Sequence, residues 1–118
     1  MTPRPTQIRL EEIIERIERI QSAEILLLAS ENDGDIQVFE MLFDSILYQL
    51  VVIGEAVKDL DNTLKEKYSE IAWKDIAGMR DFLVHQYHRT DAKIVRDTVE
   101  KQLNSLKKVC EIELELGL

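Results

Sequence analysis

Apolar residues recur at three- and four-residue spacing along almost the whole chain, which is the pattern of amphipathic helices. The first such segment, residues 7–29, is followed by a cluster of turn-forming residues at 31–35. The second segment, 36–60, carries apolar residues on nearly every face. We therefore expect this helix to be central, or to be shared with a second subunit.

A short helix is predicted next. Thr63 and Glu66 stand at the spacing of a capping box, and the helix that they begin ends near Tyr68. Trp73, which follows soon after, is interpreted as a core residue.

Two longer helices complete the chain. One is predicted from about Trp73 to Tyr87, and Asp91 is a favourable N-cap for the last helix, 92–116. Gly117 can terminate it. The sequence therefore predicts an all-α fold: an antiparallel four-helix bundle with one extra short helix, in a single domain over residues 1–118.

The composition of the chain predicts where in the cell the protein is found. Cys110 is the one cysteine, which excludes an internal disulfide and fits a reducing cytoplasm. The N-terminus, residues 1–5, lacks the apolar core of a signal peptide. No apolar run is expected to approach the roughly 18 residues that a membrane span needs. We therefore expect a soluble, cytoplasmic protein that does not contact a membrane.

Charge is unevenly distributed. The net charge is −8, with 13 acidic and 3 basic residues over 10–61 but 10 of each over 62–118. The chain has no basic patch of the kind that gives strong nonspecific binding to phosphates. If its substrate is RNA, recognition is local, or the acidic half serves another partner.

Four chemically active side chains lie within eight positions of the mostly apolar segment before residue 88. They are Arg80, Asp81, His85 and Tyr87. An unpaired polar group in a core costs about 2–7 kcal/mol, so a segment that concentrates such groups indicates a site more than a scaffold.

The spacing of these residues leaves their geometry open. Asp81 and His85 are four positions apart and share a helix face, so Asp81 can fix the imidazole tautomer. Arg80 and His85 are five positions apart, roughly 140° around an ideal helix. Three arrangements would bring them together: a curled Arg80 side chain, a distorted helix end, or two chains that each complete the other's site.

Arginine with histidine suits cleavage of RNA without a metal. His85 would take the proton of the 2′-hydroxyl or give one to the leaving 5′-oxygen, and Arg80 would stabilise charge on the phosphate. One such histidine per chain supplies one proton-transfer group, whereas a dimer supplies two. No group of residues has metal-ligand spacing, so we expect neither a metal nor a cofactor.

A purely structural interpretation of the same residues is also open. His85 would satisfy a helix end, Arg80 would pair with Asp81 or Glu55, and Tyr87 would pack its ring. Gly78, within the same helix, costs about 1 kcal/mol relative to alanine. It predicts close approach to another helix or subunit.

Two blocks of sequence carry a resemblance to a known family. They are residues 50–57, LVVIGEAV, and residues 73–87, WKDIAGMRDFLVHQY, with the pattern Arg-x-x-x-x-His-x-Tyr. Their order and spacing resemble those of HEPN-domain ribonucleases, in particular the HepT-like toxin branch. The resemblance implies an all-helical HEPN fold, a homodimer with facing motifs, and a metal-independent endoribonuclease. It also implies a toxin whose partner, a small nucleotidyltransferase antitoxin, attaches AMP to the motif tyrosine, here Tyr87.

Two other functions compete with the endoribonuclease toxin. One is a non-catalytic HEPN module that binds substrate or nucleotide for a partner nucleotidyltransferase, which the acidic surface favours. The other is a structural helical dimerisation domain, which the presence of Arg80, Asp81, His85 and Tyr87 disfavours.

Overall fold

Helices make up nearly all of the computed structural model, which describes residues 2–86, 97 and 99–117. These residues contain no strand, and the predicted all-α fold class is confirmed. The helices are α1 (Arg4–Asp33), α2 (Ile36–Lys58), α3 (Asn62–Lys67), α4 (Trp73–Gln86) and α5 (Asn104–Gly117), with a π-helical turn at Val99–Leu103 before α5.

The first turn lies later than predicted. Helix α1 continues to Asp33, and Gly34 alone breaks it, at a φ of 74° that favours glycine. Asp35 then caps α2, because its carboxylate accepts a hydrogen bond of 3.1 Å from the backbone N–H of Val38. With this short connection, α1 and α2 lie antiparallel and pack closely along their length.

The boundary of the short helix also differs from the prediction. Helix α3 starts at Asn62, with Asp61 at the N-cap position and no side-chain hydrogen bond there. The predicted capping box at Thr63 and Glu66 is therefore wrong. Asp91 and the predicted start of the last helix lie outside the described residues.

The core runs between α1, α2, α4 and α5. It is composed of aliphatic residues at helical spacing on each of these elements, and its most deeply buried members include Leu10, Ile13, Ile17, Leu50, Ile53, Ile76, Leu83 and Leu106. The interpretation of Trp73 as a core residue is confirmed, since it is buried. Its indole N–H donates to the backbone oxygens of Lys65 and Tyr68, which holds α3 against the start of α4.

A polar cluster ties α3 to α5. The Tyr68 hydroxyl donates to Oε2 of Glu113 over 2.7 Å, and Lys67 Nζ lies 3.1 Å from the same oxygen. Burial acts to raise the pKa of Glu113, but the hydrogen bonds from Tyr68 and Lys67 outweigh it and hold the pKa below its ordinary value. The cluster therefore stabilises the fold above the ordinary pKa of a glutamate, and this contribution is lost as the pH falls through the lowered pKa.

Helix α2 is more apolar than expected for a segment that cannot span a membrane. By length and composition it could cross a membrane, so the expectation that no segment qualifies is wrong. A core helix of a soluble protein meets the same criterion, and Ile46, Leu50 and Ile53 of α2 are buried in the bundle. The other side of α2 exposes Met41 and Tyr48.

Gly54 allows α2 and α4 to approach closely. A Cβ atom at this position would collide with Cβ of Arg80 and would lie 3.3 Å from the carbonyl oxygen of Ile76. Gly78 on α4 is different, because no described atom beyond its chain neighbours and the adjacent backbone of α4 lies within 4 Å of the position that its Cβ would take. The close helix approach predicted for Gly78 is therefore made by Gly54 within the described chain, and Gly78 is open on the surface.

We predict that Gly54→Ala destabilises the protein by about 1–3 kcal/mol, because the added methyl forces α4 away from α2. The matched control is Gly78→Ala, which adds the same methyl to open space and should be neutral, or stabilising by up to about 1 kcal/mol. Urea unfolding of both variants measures the difference. Equal effects at the two glycines would contradict the packing described here.

Candidate active site

Arg80 is held between α4 and α2. Its Nε lies 2.7 Å from Oε2 of Glu55, and its Nη1 donates to Oδ1 of Asp81 over 3.0 Å. The Nε contact is ionic, since the N–H does not point along a hydrogen bond to the carboxylate. The Arg80 side chain is only 28% exposed, whereas those of Glu55 and Asp81 are 55% and 50% exposed. The guanidinium is thus fixed at the edge of the core rather than free in solvent.

Lys58 completes this cluster from the end of α2. Its Nζ donates to Oδ1 of Asp81 over 2.6 Å, so one carboxylate oxygen accepts from both Lys58 and Arg80. The hydrogen bonds from Lys58 and then Arg80 hold the pKa of Asp81 below its ordinary value of 3.8. Asp81 is therefore an anion at neutral pH and orients two cations.

His85 lies on the exposed side of α4. Among the described residues, no hydrogen bond joins it to Asp81, whose carboxylate is directed to Lys58 and Arg80 instead. The i,i+4 spacing permits an Asp81–His85 contact, but two cations compete for the same carboxylate. The Arg80 contacts that the structure shows are with Glu55 and Asp81.

The structural interpretation of Arg80 was right about its partners, since both Glu55 and Asp81 contact it. These contacts do not exclude a catalytic role, because a positioned arginine is what charge stabilisation needs. Tyr87 lies outside the described residues, as do His88 and Arg89. The geometry of Tyr87 relative to Arg80 and His85 stays a prediction.

Lys58 is not among the site residues predicted from the sequence. It belongs to the same α2 segment as Gly54 and Glu55, and its spacing of three from Glu55 places both on one helix face. That spacing is the signal that could have assigned Lys58 to the site. Only the packing of α4 against α2 shows that this face meets Arg80 and Asp81.

Metal and thiol chemistry find little support in the part of the chain that the structure describes. In that part, no three His, Cys, Asp or Glu side chains are placed to hold a metal ion together. Cys110 is fully buried, and burial followed by the charge of Glu111 raises the pKa of its thiol to about 12. It is therefore a core residue and not a nucleophile.

Comparison with known proteins places these residues in a family. The model of the family described as ribonuclease HepT-like matches residues 10–112, which include both α2 and the Arg80–His85 segment. The chain belongs to the HepT-like ribonuclease family. This confirms the resemblance drawn from the two sequence blocks.

Named relatives agree with this HepT-like assignment. The chain is 34% identical over 90 residues to the probable ribonuclease HepT of Thermococcus cleftensis, a match that covers 72% of this chain and 82% of the relative. It is 41% identical over 68 residues to a candidate RNase of Caldanaerobacter subterraneus, covering 58% of this chain and 61% of the relative. A Methanocaldococcus jannaschii protein, named as a gamma-glutamylcyclotransferase and candidate RNase, is 33% identical over 101 residues. This match covers 86% of this chain and 44% of the relative.

The match to the last two relatives spans only about half of their own length, 61% and 44%. No solved structure matches the chain. The HepT-like family and its ribonuclease designation are thus established by the family model and by a relative matched over most of its length.

We predict that Lys58→Met raises the pKa of Asp81 towards its ordinary value, because the largest of its stabilising hydrogen bonds is lost. The matched control is Lys65→Met, which removes a lysine that does not contact Asp81. The carboxyl carbon shift of Asp81, followed by NMR as the pH is lowered, reports the pKa directly. An unchanged midpoint in Lys58→Met would mean that the Lys58–Asp81 pair does not form in solution.

Proposed function

We propose that this chain, as one HEPN-like domain over residues 1–118, is a metal-independent endoribonuclease and the toxin of a toxin–antitoxin pair. The observation that carries the proposal is that one helix of a HepT-like chain bears both a fixed arginine and a solvent-accessible histidine. Arg80 is anchored by Glu55 and Asp81, and His85 is exposed one turn further on. We also infer that the protein is cytoplasmic and soluble.

Arg80 and His85 have distinct roles in this proposal. A guanidinium has five N–H donors, and its two carboxylate partners leave some of them free for a phosphate oxygen. Arg80 stabilises the charge that develops on the scissile phosphate, and His85 transfers the proton of the 2′-hydroxyl or of the leaving 5′-oxygen. Asp81 acts through Arg80, since it positions the guanidinium and does not contact His85.

We predict that Arg80→Ala and His85→Ala each abolish RNA cleavage and leave the helical circular dichroism signal largely intact. Matched controls are Arg19→Ala, which removes an exposed arginine paired with Glu15, and His88→Ala. Cleavage by the wild-type chain should persist in EDTA. Loss of cleavage in EDTA that a divalent ion restores would refute the metal-free mechanism.

A homodimer would provide the second proton-transfer group. The α2 and α4 surfaces support this arrangement, because both helices expose large apolar side chains: Tyr48 is 59% exposed, Phe82 50% and Val84 48%. Tyr48 and Val84 line one shallow groove between the two helices. Gly78, open on α4, would admit the backbone of a second chain.

We predict that the chain sediments as a homodimer at micromolar concentration through α2 and α4, burying on the order of 1,200–2,000 Å² in total. Phe82→Arg should shift it towards the monomer, because a charge replaces an exposed apolar side chain at the proposed contact. Ile25→Arg is the control, since Ile25 is 70% exposed and lies on α1, which is not one of the two helices of the proposed contact. A monomeric wild-type chain would refute the dimer.

The proposed antitoxin is a small nucleotidyltransferase that attaches AMP to Tyr87. The hydroxyl of Tyr87 is two residues past His85 in sequence. An attached nucleotide would bring about one negative charge to the neighbourhood of Arg80, occupying the phosphate position and blocking RNA.

We predict that coexpression with the neighbouring nucleotidyltransferase adds AMP units that mass spectrometry detects and that Tyr87→Phe abolishes. Tyr48→Phe, which removes an exposed phenol on α2, should leave the modification unchanged. A neutralised complex in which Tyr87 is unmodified would mean that inhibition is by occlusion alone.

The distribution of charge favours one alternative, a non-catalytic HEPN module that binds substrate or nucleotide for a partner nucleotidyltransferase. Residues 10–61 carry 13 acidic and 3 basic side chains, which is unfavourable for RNA. Expression of the lone chain discriminates the two functions. Growth arrest that His85→Ala removes supports the toxin, and normal growth with nucleotidyltransferase binding supports the module.

A further inference from the structure

A cavity of about 660 Å³ lies between α3, the end of α2 and the first turn of α4. Three lysines line it, Lys58, Lys65 and Lys74, together with the carboxylates of Glu66 and Asp75. The lining therefore carries more cationic than anionic side chains in a chain whose net charge is −8. Such a local inversion of charge indicates a place for an anion.

The lysines of the cavity differ in their partners. Lys58 donates to Asp81 and so connects the cavity to the Arg80 cluster. Neither Lys65 nor Lys74 forms an ion pair with any described residue, so both ammonium groups are available to a ligand. Available cations beside a site that acts on phosphodiesters are suited to phosphate oxygens.

The walls of the cavity are fixed. The Trp73 indole N–H donates to the backbone oxygens of Lys65 and Tyr68, over 3.0 and 2.9 Å, so α3 cannot easily move away from α4. Asn62 and Ser69 add neutral polar groups, and Ile71 adds an apolar surface. Polar, cationic and apolar groups together fit a nucleotide better than they fit a simple ion.

Helix geometry aligns the cavity with His85, the proposed proton-transfer residue. Lys74 and His85 are eleven positions apart on α4, so they lie about 20° apart around its axis and about 16 Å apart along it. Asp81 falls on the same side between them. A few nucleotides of single-stranded RNA cover this distance, so a strand cleaved at His85 passes the cavity.

We propose that this lysine-lined cavity is a subsite for the backbone of single-stranded RNA flanking the scissile bond. Lys65 and Lys74 contact phosphates of the flanking nucleotides, and Lys58 marks the boundary with the Arg80 cluster. The inference rests on the proposed endoribonuclease function and adds a substrate-binding surface to it. This subsite would also explain how a strongly acidic chain binds RNA, because the electrostatic attraction for phosphates is confined to the lysine-lined cavity.

The test is binding of a short, fluorescein-labelled single-stranded RNA whose 2′-hydroxyls are methylated, so that the wild-type protein cannot cleave it. The variant is Lys65→Gln/Lys74→Gln, and the matched control is Lys107→Gln/Lys108→Gln on α5, which changes the charge equally. We expect the cavity variant to raise Kd on the order of tenfold and to reduce the slope of log Kd against log salt by about 1.4, for two lost phosphate contacts. The control should match wild type, and with cleavable RNA the cavity variant should raise KM more than it lowers kcat.

Two results would overturn the subsite: an unchanged Kd in the cavity variant, or an equal change in both double variants, which would indicate general electrostatics. Lys74→Gln alone provides a second measurement if the double variant does not fold. The subsite and the proposed function fail separately. If the wild-type protein binds the methylated RNA through the cavity but cuts no RNA, the subsite is supported and the nuclease function is contradicted. If the wild-type protein cleaves RNA and the cavity variant binds RNA as well as the wild type, the nuclease function is supported and the subsite is contradicted.

Discussion

The close contact between Gly54 on α2 and Arg80 on α4 is the constraint on which the site depends. Any side chain at position 54 would collide with Cβ of Arg80, so glycine is what lets the arginine emerge from α4 against the surface of α2. Once there, the guanidinium meets Glu55, the next residue along α2, at 2.7 Å. The packing contact between Gly54 and Arg80 therefore also sets the position of the Arg80 guanidinium.

The carboxylates of Glu55 and Asp81 hold the Arg80 guanidinium in place and still leave it able to bind a substrate phosphate. Glu55 and Asp81 are about half exposed, so solvent screens their attraction and a substrate phosphate can compete with them. The ammonium group of Lys58, bound to Asp81, keeps the net charge of the cluster from becoming negative. Two cations, Lys58 and Arg80, then balance the two carboxylates. Such a balance is suited to receiving an anion that carries one further negative charge.

How far the sequence predicts this structure depends on whether the interaction is local. Helical periodicity located α1, α2 and α4, and the end of α5, to within a few residues, because burial of a continuous apolar stripe dominates the choice of structure. The helix boundaries were less accurate: α1 passes through the expected turn up to Gly34, and Asn62, not Thr63, begins α3. Capping residues such as Asp61 and Thr63 differ little in energy, so tertiary packing decides between them.

The residue types of the site and the partners of Arg80 were predictable, but the partner of Asp81 was not. Arg80, Asp81 and His85 are neighbours in sequence, and their concentration in one segment is visible without a structure. The pairing of Asp81 with Lys58 crosses between helices, and it displaces the Asp81–His85 hydrogen bond that spacing alone allows. Pairings across helices follow from how α4 packs on α2, which periodicity does not specify.

The central claim is that Arg80 and His85 cleave RNA through the 2′-hydroxyl without a metal. Analysis of the ends produced by the purified chain in EDTA tests it most directly. We expect a 5′-hydroxyl on one fragment, a cyclic phosphate on the other, and no cleavage where a 2′-deoxynucleotide precedes the scissile bond. Fragments with 5′-phosphate ends, or cleavage of the deoxy-substituted strand, would contradict it.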